Sequence, residues 1–93
     1  MGRRATPHPT ASELAILDVL WRGGPATVRA VCDELNETKT TGYTTVLKLL
    51  QIMTDKGLVR RDESRRAHLY EARVARADTQ KRLVGDLLDR AFG

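Results

Sequence analysis

Thr44, Thr45 and Lys48 are the residues of this 93-residue chain whose types and spacing invite chemistry. Lying three and four positions apart, they share one side of a helix with Gln51 and Asp55 and one apolar intruder, Ile52. Small hydroxyls and a lysine offer hydrogen bonds rather than a reaction: they can face plain water, or base edges and phosphate oxygens. Downstream, Arg65 and Arg66 stand in a polar stretch where guanidinium groups suit phosphate. Nothing in the chain assembles a reaction. There is no Ser/His/Asp or Cys/His set, no HExxH, no P-loop and no pair of carboxylates on one apolar face, so an enzyme is not expected. Cys32 is the single cysteine, which excludes an internal disulfide and argues against a thiolate metal site. Among Val28, Val31 and Leu35 at helical spacing it reads as a buried small hydrophobe. His68 has no other histidine near it except His8 and reads as a half-buried strand residue. No cofactor is expected.

Charge narrows the partner. The net charge is only +4, but residues 1–39 hold five Lys/Arg against five Asp/Glu and residues 77–93 hold three of each. Residues 40–76 hold eight against four, so the whole excess sits on one segment. Concentrated positive charge points to a polyanion, with a solvated basic face as the alternative. No apolar run approaches a membrane span and no secretory signal is visible, so the chain reads as cytoplasmic, with no membrane insertion.

The elements that position these residues follow from period and punctuation. Residues 1–9, with two arginines and two prolines, read as a disordered arm. Thr10 and Glu13 have capping-box spacing and open a first helix with a stripe of Leu14, Leu17, Leu20 and Trp21, Ile16 beside it, ended by Gly23-Gly24-Pro25. Thr27 caps a second, shorter helix facing inward through Val28, Val31, Cys32 and Leu35. After a polar connection, Val46, Leu49, Leu50 and Met53 form the inner stripe of a third helix, which Thr40 or Thr41 caps and Gly57 stops. Then the period changes: Leu58 to Arg61 and Ala67 to Glu71 read as two strands around a polar tip, Asp62 to Arg66, with His68 and Tyr70 turned inward. A fourth amphipathic helix is expected from Arg76 to Phe92. The fold class is mainly α with a small β-hairpin wing: a winged helix-turn-helix over residues 10–74, then a C-terminal helix over 75–93.

Three helices and a basic hairpin carry a more specific likeness. ELAILDVLWRGGPATVRAV, then GYTTVLKLLQIMTDKGLVRR, then RRAHLY and LLDRAFG resemble the penicillinase-repressor and methicillin-resistance regulator family over residues 10–93. The resemblance implies a homodimeric repressor on a palindromic double-stranded DNA operator, controlling β-lactam-resistance or related stress genes. It places Thr44, Thr45 and Lys48 on the helix that enters the major groove, with Thr41 and Tyr43 at its start, and Arg65 and Arg66 on the wing tip. It makes the C-terminal part a helical dimerisation region, for which the apolar stripe of the last helix, Leu83, Val84, Leu87, Leu88 and Ala91, is the expected seam. An inducing protease or sensor belongs to the same picture. Four departures stand out: Ile52 where a basic residue is usual, His68 where an aromatic is usual, Ala75 in place of a serine cap, and no cysteine-rich C-terminal metal motif. The last argues against a metal. The chain ends at Phe92-Gly93, where members continue into further helices, so it reads as a fragment or as a shortened member. A winged-helix protein-interaction module without sequence-specific DNA binding is the alternative function, and RNA binding a weaker third.

Overall fold

The computed structural model describes residues 8–81 and residue 91. Helix α1 spans Ala11–Gly23 and starts as its sequence requires: the Thr10 hydroxyl accepts from the Glu13 amide at 3.2 Å, and the Glu13 carboxylate accepts from the Thr10 amide at 2.9 Å. It ends at Gly24, whose φ of +83° is a conformation that a side chain would strain. Helix α2, Val28–Leu35, begins under the Thr27 hydroxyl, which accepts from the Ala30 amide at 3.1 Å. Helix α3, Tyr43–Lys56, ends at Gly57 in the left-handed conformation with φ +80°.

Ile16, Leu17 and Leu20 of α1, Val28, Val31 and Cys32 of α2, and Val46, Leu50 and Met53 of α3 close one core, with Leu58, Val59 and Tyr70 of the hairpin beneath them. Full burial of a side chain such as Leu50 is worth about 1.5–3 kcal/mol relative to exposure. The stripe of α1 is rotated from its expected centre: Ile16 is fully buried and Val19 joins it, while Leu14 is only half-buried. Cys32 lies in the core as expected.

Strand β1, Val59–Asp62, pairs antiparallel with β2, Leu69–Ala72, with Arg61 opposite Tyr70. Strand β1 runs one residue later than the sequence suggests, and β2 begins two residues later and ends one later. An isolated hairpin is marginal in water, and this one gains a further partner. The Tyr70 amide donates to the Ala26 carbonyl at 2.8 Å and the Ala26 amide donates back at 2.9 Å, so the α1–α2 link acts as a third edge. Tyr70 turns inward as expected, but His68 does not. It precedes β2, where cross-strand pairing has stopped, and it is exposed. Beyond β2 the chain is held to α1 by the Trp21 indole, which donates to the Val74 carbonyl at 2.8 Å.

A further helical segment, α4, occupies 76–81 within the described residues. Leu83, Val84, Leu87 and Leu88, four of the five residues expected to form a dimer seam, lie outside the described residues, as does most of the expected arm. Ala91, the fifth, is helical and exposed.

Candidate nucleic-acid interface

The outer face of α3 is set by what its inner face buries. With Val46, Leu50 and Met53 fully enclosed, a turn of 100° per residue sends Thr44, Lys48, Gln51 and Asp55 to the opposite side, and all four are exposed. Thr44 and Lys48, four residues apart, stand at its centre. Thr45 is exposed on the flank, overlooking a cleft of about 410 Å³ floored by Ala15, Leu35 and Leu49. Ile52, 38% exposed, lies on the same flank one turn beyond Lys48. The structure thus brings Thr44, Thr45 and Lys48 together on one open surface.

The entry to this helix differs from its expected form. Neither Thr40 nor Thr41 caps it: the N-cap is Gly42, which has no side chain to offer. Thr41 is engaged elsewhere. Its hydroxyl donates to the Lys39 carbonyl at 3.0 Å, and its amide donates to the Asn36 side-chain oxygen at 2.7 Å. The Asn36 amide nitrogen in turn donates to the Thr41 carbonyl at 2.9 Å and to the Cys32 carbonyl at 2.8 Å. Asn36 therefore clamps the turn between α2 and α3 and fixes the direction in which α3 leaves it. The composition of this polar connection did not reveal the clamp, because it closes only when the turn is folded.

Arg65 and Arg66 sit in the exposed tip between β1 and β2. The tip is shaped by Asp62, whose carboxylate accepts from the Ser64 amide at 2.9 Å. Hydrogen bonds from the Ser64 hydroxyl and then its amide hold the Asp62 carboxyl below the ordinary aspartate range. On the strand itself, hydrogen bonding to the Tyr70 side chain and then to Glu63 raises the affinity of Arg61 for its proton.

The cations sort into two sets. Arg22 is paired with Asp18, Lys56 with Glu13, Arg60 with Glu71, Arg61 with Glu63, and Arg76 with Asp18. Among the described residues Lys48, Arg65 and Arg66 make no salt bridge, and neither do Arg29, Lys39, Arg73 and Lys81, although the charge of Arg65 acts on the nearby Asp62 carboxylate. Arg29, on the outer side of α2, is the residue the sequence reading passed over. Its guanidinium lies over the Tyr43 ring, 5.2 Å from the centroid, at the start of α3. Balanced charge in residues 1–39 hid it, and no local spacing joins positions 29 and 43.

Among the described residues no group of three His, Cys, Asp or Glu side chains could hold a metal ion. No helix among them is long and apolar enough to cross a membrane.

Comparison with known proteins adds three findings. A family model described as penicillinase repressor matches residues 9–93. Two curated relatives, both transcriptional regulators named BlaI from Mycobacterium tuberculosis strains CDC 1551 and H37Rv, are 38% identical over 80 residues, covering 85% of this chain and 58% of each relative. The chain thus spans a little under three fifths of the length of those relatives. Among solved structures, the monomeric form of Bacillus licheniformis BlaI in complex with the blaP half-operator superposes with a TM-score of 0.68 at 23% identity, over 80% of this chain and 90% of that one. The DNA-binding domain of the repressor BlaI gives 0.69 at 22% identity, over 82% and 93%. At that identity the likeness concerns the fold, a winged helix-turn-helix.

Proposed function

The chain belongs to the penicillinase repressor family, and from that premise we propose that it is a transcriptional repressor that binds double-stranded operator DNA. Lys48 and Thr45 read bases: a lysine donates to guanine O6 and N7, and a threonine offers a hydroxyl and a methyl that suits thymine. Thr44, Thr41 and Tyr43 line the same approach. Arg65 and Arg66, on the wing tip, hold phosphates. The observation that carries this reading is the sorting of charge. Among the described residues Lys48, Arg65 and Arg66 make no salt bridge, while neighbouring cations on β1 and at the end of α3 are neutralised. A cation already paired must break its bridge to meet a phosphate, whereas an unpaired one is ready to release a counterion. The uncapped first turn of α3 adds free amides that favour an anion.

The relative from Bacillus licheniformis engages a half-operator as a monomer, and by analogy one copy of this domain takes one half-site. A palindromic operator then takes a homodimer, for which Leu83, Val84, Leu87, Leu88 and Ala91 form the seam. The protein works in the cytoplasm on β-lactam-resistance or related stress genes, with relief through a sensor or protease.

Protection mapping on the DNA flanking its gene supplies an operator, and binding is then compared with a scrambled duplex across salt concentrations. Lys48→Ala and Thr45→Ala each lower the preference for operator by about 1–3 kcal/mol. Arg65→Ala with Arg66→Ala weakens both duplexes alike and flattens the salt dependence by about two counterions. Loss of preference in the wing variant, with none in Lys48→Ala, would make the wing the reader. Absence of salt-dependent binding to any duplex leaves the interaction-module alternative.

A further inference from the structure

Arg29 is the only cation of α2, and the carboxylate best placed to neutralise it does not do so. Asp33 stands four residues along the same helix, the ordinary spacing of an intrahelical ion pair, yet the guanidinium turns away to lie over Tyr43. Among the described residues none of its N–H groups meets an acceptor. Tyr43 is itself 43% exposed, so the pair stands at the surface.

A second such contact among the described residues shows what a purely structural one looks like. Arg76 lies 5.4 Å from the centroid of the Trp21 ring and also donates to Asp18 at 2.8 Å. Its charge is spent within the protein, tying α4 to α1. Arg29 makes the ring contact and keeps its charge. A guanidinium can rest one face on an aromatic ring while its donors, which lie in its own plane, stay free to grip a phosphate. Geometry supplies the phosphate: in a helix-turn-helix the first helix crosses the sugar-phosphate backbone while the second enters the groove.

We infer that Arg29 is a phosphate contact of this domain, held ready by the Tyr43 ring, and that Tyr43 is a positioning residue rather than a reader of bases. The inference rests on the DNA-binding reading of α3. Holding a long side chain near its bound position before DNA arrives removes part of the ordering cost from the binding step. It also widens the footprint, from α3 and the wing to a third point on α2.

The test measures binding of the full chain to a random-sequence duplex, which reports phosphate contacts without base readout, over a series of salt concentrations. Arg29→Gln should reduce the slope of log affinity on log salt by about 0.9, and lower affinity about eightfold at about 0.1 M salt, the yield of one released counterion. Tyr43→Leu removes the ring and should cost about two- to fivefold; Tyr43→Phe restores the ring face and should recover that loss. In the Arg29→Gln background, Tyr43→Leu should cost nothing further. An unchanged slope in Arg29→Gln overturns the inference, as does a Tyr43→Leu penalty equal with and without Arg29. If the wing variants flatten the slope while Arg29→Gln matches the parent, this inference alone falls. If the parent shows no salt-dependent binding, the functional reading beneath it falls too.

Discussion

Lys56→Met should cost far more stability than Glu13→Gln, although the two changes break the same ion pair. The Glu13 carboxylate is 2% exposed and receives the Lys56 ammonium at 3.0 Å on both oxygens, whereas Lys56 is 28% exposed. Methionine preserves the apolar stem and deletes the charge, leaving a buried carboxylate with only the Thr10 amide as a donor. Breaking a buried pair costs about 3–5 kcal/mol when one charge is stranded. Lys56 borders solvent, so water can reach part of the gap, and about 2–3 kcal/mol is the expected loss. Glutamine keeps the oxygen that accepts from Thr10 and frees an ammonium that can swing to water, so about 1 kcal/mol is expected there. A domain of this length is stable by roughly 5–14 kcal/mol, so both variants should fold. Urea unfolding followed by Trp21, the single tryptophan, reads the difference. With a slope of about 1 kcal/mol per molar, the midpoint should fall by about 2–3 M for Lys56→Met and about 1 M for Glu13→Gln. Equal losses, or a larger loss in Glu13→Gln, would refute the argument that burial of the acid governs the pair.

Asn36→Ala should loosen the turn before α3: loss of its bonds to Thr41 and Cys32 is worth about 1–2 kcal/mol in a partly exposed site. Hydrogen exchange at the Thr41 amide should quicken by a similar factor in free energy, and an unchanged rate would deny Asn36 its clamping role. At the wing tip, Ser64→Ala should move the titration of Asp62 upward toward the ordinary aspartate range, as read by carboxyl NMR. Because the folded carboxyl has the lower affinity for protons, the tip turn is stabilised above the ordinary aspartate range. That stabilisation is lost as pH falls through the lowered value; an Asp62 titration indifferent to Ser64 would contradict the assignment.

What the sequence made legible was whatever short-range geometry decides. Thr10 with Glu13, Thr27, Gly24 and Gly57 each act within four residues, and each does what its type and spacing suggest. The inner stripe of α3 was readable because burial repeats with the helical period. Long-range contacts were not readable. Glu13 was legible only as the capping-box partner of Thr10, and it is Lys56, 43 residues away, that makes its burial tolerable. Thr41 looked like a cap until Asn36 claimed its amide and Lys39 its hydroxyl. His68 has the right parity to face inward with Tyr70, but parity means nothing beyond the last paired residue. At the interface, Thr44, Thr45 and Lys48 were visible as types on a face. Arg29 was not, since its importance comes from a ring fourteen positions on.

The bond pair between Ala26 and Tyr70 has a consequence for how the hairpin can change over time. Register in a free hairpin is dictated by its turn, but here β2 is moored on its other side by Ala26, and the Arg73 amide donates to the Leu58 carbonyl at 2.9 Å at the hairpin's base. The tip is thereby released from setting the alignment. Doubling its length would add only about 0.6 kcal/mol of closure entropy, and no inward residue would change sides. Insertions and deletions between Glu63 and His68 can alter how far the tip projects while the remainder of the domain stays as it is.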